Sequence, residues 1–227
     1  MDTQIRRALV WPGIQRLTHW IIAFATISLV ISGWALRGGL QDNMNLLAGH
    51  LTSGWFLAMA LLVRIYLLFR GQEVESWRAL VPDANTRQAR VATLYCYLSL
   101  GRSPLPAYYA HNPLWGPIYL ALFVLLAFGT VTGTILAIAD PAHRLYYEAT
   151  PWLFGFTLPQ WHGSITKVLG TFAVIHILAV VLHELRGPGG DVSAMINGHK
   201  YFEPRKVQVD LADGVSPIRM PPRQENR

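Results

Sequence analysis

"WHGSITKVLGTFAVIH" (161–176) sets two histidines into a largely apolar run. It is apolar enough to be buried, yet it carries His162 near one end and His176 at the other, with Gly170 between them. An imidazole in apolar surroundings is costly unless its nitrogens are held. Fourteen residues of α-helix return to within about 40° of the same face and rise about 21 Å. One helix therefore presents two imidazoles at two depths, a spacing that points to a shared cofactor system.

The rest of the chain agrees with burial in lipid. Apolar residues make up 52% of the 227 and charged residues only 14%, against about 25% charged in an ordinary soluble domain. Residues 17–36, 43–63 and 103–139 contain no Asp, Glu, Lys or Arg, and 164–183 is broken only by Lys167. A bilayer core is crossed by about 20 apolar helical residues. The pattern predicts four spans over 17–36, 47–69, 114–139 and 162–183. The expected fold is an all-α integral membrane protein, a four-transmembrane-helix bundle. Its membrane domain covers 1–205 and is followed by a polar tail over 206–227. The first span is longer than a signal-peptide core and no small-residue cleavage site follows it, so it reads as an uncleaved helix.

Orientation follows from the flanking Lys and Arg. Arg6, Arg7 and Arg16 precede span one; Arg70, Arg78, Arg87, Arg90 and Arg102 lie between spans two and three; Arg186, Lys200, Arg205 and Lys206 follow span four. The opposite loops hold only Arg37 and Arg144. Both termini are expected on the cytoplasmic side of the membrane. The net charge of +6 is then a topology signal, and no nucleic-acid partner is expected. Arg64 reads as a snorkelling residue at the inner end of span two. The single cysteine, Cys96, and the lack of a C-x-x-C-H motif exclude a covalent c-type haem, a cysteine-ligated iron–sulfur cluster and a Cys-rich zinc site. Around it, 91–101 reads as a short interfacial helix.

Five of the eight histidines, His19, His50, His162, His176 and His183, lie in or at the ends of spans. His111, His143 and His199 fall in loops and read as solvated. Alternating spans place His50 and His162 at the outer side and His19 and His176 towards the cytoplasm. Each pair makes a bis-imidazole site of the kind that ligates a b-type haem. Four ligands in two pairs make two haems b stacked across the bilayer. Spacing alone leaves both His176 and His183 open as the partner of His19. Gly33, Gly54, Gly129, Gly133 and Gly170 supply small residues where a macrocycle could pass a helix backbone.

Several stretches together resemble the cytochrome b subunits of membrane-bound nickel–iron hydrogenases, in the bacterial di-haem cytochrome b561 group. They are "QRLTHW" (15–20), "HLTSGWFLAMALLVRIYLLFRG" (50–71), "YYAHNPLWGPIYL" (108–120), the pair 162–176 and "SAMINGHKYF" (193–202). The group is similar to formate dehydrogenase gamma subunits. The chain departs from the pattern at Trp115, where a small residue usually follows "HNPL". The resemblance implies His19 with His176 on the cytoplasmic-side haem iron, and His50 with His162 on the outer one. It implies electron transfer between an outer-facing iron–sulfur partner, a hydrogenase or another oxidoreductase, and a quinone at the cytoplasmic side.

Arg16, one turn before His19, reads either as a haem-propionate partner or as a positive-inside flank. Lys167, one turn after His162, reads as a snorkelling residue or a propionate partner. His183 is the expected hydrogen-bond donor to quinone. Two other readings are a stand-alone b561-type quinol oxidoreductase and a haem-free anchor whose histidines bridge helices.

Overall fold

The computed structural model describes residues 6–40, 42–71, 73–81, 87–103, 110–186 and 190–202. The expected tail over 206–227 and residues 104–109 lie outside them. Helices α1 (Gly13–Ala35), α2 (Met44–Arg70), α3 (Arg87–Leu98), α4 (Trp115–Ile138), α5 (Pro141–Ala149), α6 (Leu158–Arg186) and α7 (Asp191–Asn197) follow in chain order. Strands β1 (Arg6–Leu9) and β2 (His199–Phe202) pair antiparallel, with Leu9 opposite His199. Four helices are long and apolar enough to cross a membrane, over Gly13–Leu40, Met44–Arg70, Trp115–Ile138 and Leu158–Leu185. Each matches one expected span. Phe24, Ile31, Phe56, Met59, Leu62, Val124, Val131, Val174 and Leu178 are all exposed on them, as a lipid-facing surface requires and a soluble domain of this size would avoid.

The chain divides into two compact units. The first comprises Met1–Arg16, Leu67–Leu120 and His176–Arg227; the second comprises Leu17–Tyr66 and Ala121–Ile175.

In the second unit the four long helices meet around Ala25, Leu57, Leu61, Leu126, Ile165 and Leu169. Ser28 Oγ lies 2.8 Å from Ser53 Oγ and ties α1 to α2. The connection from α4 to α6 carries α5, whose N-terminus is capped by Asp140. That carboxylate accepts from the backbone N–H groups of Ala142 and His143, with Pro141 in the first turn. Arg64, expected to snorkel, is instead buried, its guanidinium 5.5 Å from the ring centre of Phe123. The aromatic face offers the cation a partner inside the helix packing.

In the first unit α3 has two faces. Ala89, Thr93 and Cys96 are buried, while Val91, Leu94, Tyr95 and Leu98 form an exposed apolar stripe at i, i+3, i+4 and i+7. Such a stripe is what a helix lying in the membrane interface presents to acyl chains. The β1–β2 ribbon has no counterpart among the sequence expectations. It forms because Gly198, at φ +88°, ends α7 in a left-handed cap and turns the chain back along β1. The N–H groups of Val10 and Trp11 then both donate to the Gly198 carbonyl. Val10, Trp11 and Ala194 make a small core behind the ribbon.

A polar chain fastens α3, α4, α6, α7 and β2 together in this unit. Trp115 Nε1–H donates to Tyr97 Oη (2.6 Å), and Tyr97 Oη lies 2.6 Å from His183 Nε2. His183 Nδ1 is 3.0 Å from Asp191 Oδ2, and Lys200 pairs with the other carboxylate oxygen. Burial alone would raise the Asp191 carboxyl, but the His183 hydrogen bond and the Lys200 ammonium hold it well below the usual carboxylate range. The folded state thus favours the ionised carboxylate. Its contribution is present above the ordinary carboxyl value of about 4 and is lost as pH falls towards the depressed folded value. Replacing Asp191 by Asn is expected to cost about 2 kcal/mol at pH 7. Thermal unfolding of purified protein in detergent should show that gap closing as pH drops below about 4. A gap independent of pH would contradict the assignment.

Candidate functional site

Within the second unit, α2 brings His50 and α6 brings His162 to one place. Their ring centres are 6.2 Å apart and their planes cross at 80°. Both rings are half-buried. Each is held from a neighbouring helix by a hydroxyl: Ser32 Oγ of α1 lies 2.8 Å from His50 Nδ1, and Thr132 Oγ1 of α4 lies 3.1 Å from His162 Nδ1. The residue after each hydroxyl is a glycine. A Cβ on Gly33 would sit 3.3 Å from His50 Cε1, and one on Gly133 would sit 2.8 Å from His162 Cε1. The missing side chains let α1 and α4 pass directly against the imidazoles.

The donor set fits a haem iron. Two metal–nitrogen bonds of about 2 Å each, with the half-widths of two imidazoles, occupy about 6 Å between ring centres, close to the 6.2 Å found. Among the described residues no group of three or more His, Cys, Asp or Glu converges as a bare metal ion would need. Two imidazoles alone complete an iron only when a macrocycle supplies the remaining nitrogens. A cation lies beside them: Arg37 donates to the Gly163 carbonyl at 2.8 Å and packs where a Gly163 side chain would stand.

The first unit holds a second histidine in an aromatic setting. His176 of α6 meets Trp115 and Tyr119 edge to face, at 6.0 and 6.1 Å between ring centres. Trp115 and Tyr119 stack on each other, and Trp115 leads into the polar chain through Tyr97. Burial pushes the Tyr97 phenol up to about 12, so it stays protonated at neutral pH.

The expected site residues separate accordingly. His50 and His162 come together. His19 lies in α1, edge-on to Trp20 at 5.5 Å, and belongs to the second unit, whereas His176 belongs to the first. His183 is buried, with one ring nitrogen against Tyr97 and the other against Asp191. Both of its ring nitrogens are thus engaged within the protein. Arg16 donates through Nη1 to the Ile196 carbonyl in the last turn of α7, where a cation complements the helix dipole. Lys167 is exposed. His111, expected to be solvated, packs against Trp11 (4.9 Å) and Tyr119 (6.4 Å). Among the glycines, Gly33 and Gly133 border imidazoles, while Gly54 faces open space and Gly170 faces Val30. Sequence reasoning passed over Ser32, Thr132 and Arg37. The signal for the first two was present, a hydroxyl residue followed by glycine in each of two apolar spans.

Residues 10–198 match the profile described as prokaryotic cytochrome b561. The chain belongs to that family. It is therefore a membrane b-type cytochrome, and the paired imidazoles are the kind of ligand set that such a cytochrome carries. It is similar to a probable Ni/Fe-hydrogenase B-type cytochrome subunit of Rhizobium leguminosarum bv. viciae, 28% identical over 219 residues, 87% of this chain and 90% of the relative. The counterpart in Rhodobacter capsulatus is 29% identical over 88% of this chain and 83% of its own length. The probable Ni/Fe-hydrogenase 1 B-type cytochrome subunit of Escherichia coli K12 is 23% identical over 87% and 92%. No solved structure matches the chain at a comparable level of significance.

The close approach of Gly133 gives this b561 cytochrome a sharp test. Gly133→Val is expected to displace His162 and lower the haem b recovered per chain, whereas Gly54→Ala, in open space, should leave it unchanged. Equal haem content in both purified variants would contradict the geometry.

Proposed function

We propose that this chain is the cytochrome subunit of a nickel–iron hydrogenase, passing electrons between that iron–sulfur partner and the quinone pool through two haems b. The observation that carries the reading is the crossed pair of imidazoles, His50 and His162, inside a bundle of apolar helices. The names of the curated relatives, which match over most of their length, support a hydrogenase as the partner.

In this reading His50 and His162 are the axial ligands of the outer haem, and His19 and His176 are those of the inner one. The second pairing rests on register, since His162 and His176 share one side of α6. It is favoured over His183 because the nitrogens of His183 already have partners. Bound haem supplies a one-electron iron couple at each depth. The protein's part is to fix the imidazoles, exclude water with the apolar helices and neutralise carboxylates at the rim. Arg37, next to His162, suits that last role better than exposed Lys167; Arg16 is the corresponding cation one turn before His19.

The uneven distribution of Lys and Arg supports cytoplasmic termini in a bacterial inner membrane. In that orientation the His50/His162 end would face outside, where the hydrogenase would dock. Quinone would then be reduced near the cytoplasmic face, beside His176, Trp115 and Tyr119. The nearby Tyr97–His183–Asp191 chain is the polar group able to hold a proton there.

A pyridine haemochrome assay on purified protein tests the count and the ligands together. Two haems b per chain are expected, falling to one in His162→Ala and in His176→Ala and remaining two in His183→Ala. One haem in the parent, or haem loss in His183→Ala with none in His176→Ala, would overturn the reading.

A further inference from the structure

The hydroxyls beside the two imidazoles do more than fill space. Each has a single proton, and the geometry shows where it goes. Ser32 Oγ–H donates to the Ser28 carbonyl at 2.6 Å, and Thr132 Oγ1–H donates to the Phe128 carbonyl at 2.9 Å. Both are back-bonds along their own helices. With that proton committed, the hydroxyl oxygen faces its histidine as an acceptor. The short contacts from Ser32 to His50 Nδ1 and from Thr132 to His162 Nδ1 must therefore carry the proton on the imidazole. A neutral imidazole has one N–H, so Nε2 of each ring is left with its lone pair.

We propose that Ser32 and Thr132 are positioning residues that lock His50 and His162 in the Nδ1–H tautomer, directing both Nε2 lone pairs to a common iron and setting the reduction potential of that haem. The inference rests on the reading of His50 and His162 as its ligands and adds residues that never touch the metal. The arrangement is repeated on two helices: hydroxyl, then glycine, at 32–33 in α1 and 132–133 in α4. The hydroxyl orients the ring from one side, and the glycine clears its Cε1 edge. A donor–acceptor bond at the outer nitrogen also raises the basicity of the ligating one, which favours the more highly charged ferric state. Taking the acceptor away weakens ferric binding relative to ferrous and moves the potential upward.

The test is potentiometric titration of the haem α-bands in purified Ser32→Ala, Thr132→Val and Thr132→Ser. The first two are expected to raise the midpoint of one haem and leave the other in place. A tenfold change in the ferric-to-ferrous binding ratio corresponds to about 59 mV for one electron. Thr132→Ser keeps the acceptor and should restore the parent value, a rescue that a packing role for the threonine methyl would not give. Haem-loaded Ser32→Ala and Thr132→Val with unshifted midpoints, or Thr132→Ser shifted as far as Thr132→Val, would overturn the proposal. The ligand reading fails separately, if His50→Ala and His162→Ala keep the haem whose midpoint is being followed.

Discussion

An imidazole inside a bilayer must have both nitrogens satisfied, and this constraint organises the structure. An apolar helix gives a ring nothing to bond to, and an unmet polar group there costs several kcal/mol. Around His50 and His162 the chain answers with one hydroxyl per ring at Nδ1, and the remaining nitrogen of each ring is the one proposed to bind iron. The surrounding core of leucine, isoleucine and alanine keeps water away, so the arrangement serves stability as well as the proposed ligation. Helix α6 then has a fixed rotation. Its histidine face turns inward, and Val174, Leu178 and other apolar residues are left to the lipid.

His183 shows the same constraint met another way. It sits on the same helix as the two proposed ligands but is consumed by Tyr97 and Asp191. The carboxylate is balanced by Lys200 and the phenol by the indole of Trp115, so a buried charge is carried on five residues from separate elements. Buried polar networks of this kind hold a unique arrangement when every member is satisfied. The network is also why Trp115, which breaks the pattern of the resembling sequences, is one of the few tryptophans here that is buried. Its ring faces His176 while its N–H anchors the chain.

Much of the fold was legible in the sequence because lipid imposes a one-dimensional signal. Long runs without charge mark the spans, and each helix matches its expected run closely. The pairing of His50 with His162 was legible too, from alternating direction and helical spacing. What escaped was carried by contacts between elements distant in sequence. The β1–β2 ribbon joins residues near 8 and 200 through a left-handed glycine, and neither strand has an apolar alternation long enough to announce itself. Arg64 looked like a snorkelling residue from its position alone; only the ring of Phe123, contributed by another helix, explains its burial. His111 looked solvated for the same reason, and only Trp11 and Tyr119 show otherwise. Ser32 and Thr132 looked like ordinary small polar residues of membrane helices, and their role depends on which nitrogen of which histidine they face.

In the proposed arrangement His50 and His162 bind one iron with their rings crossed. Low-temperature electron paramagnetic resonance of the oxidised protein reads that directly, because the angle between axial imidazole planes sets the anisotropy of a low-spin ferric haem. Planes crossing at 80° predict a strongly anisotropic low-spin signal that disappears in His50→Ala. A purely rhombic spectrum of near-parallel imidazoles in the parent, or a spectrum left unchanged by His50→Ala, would contradict the account.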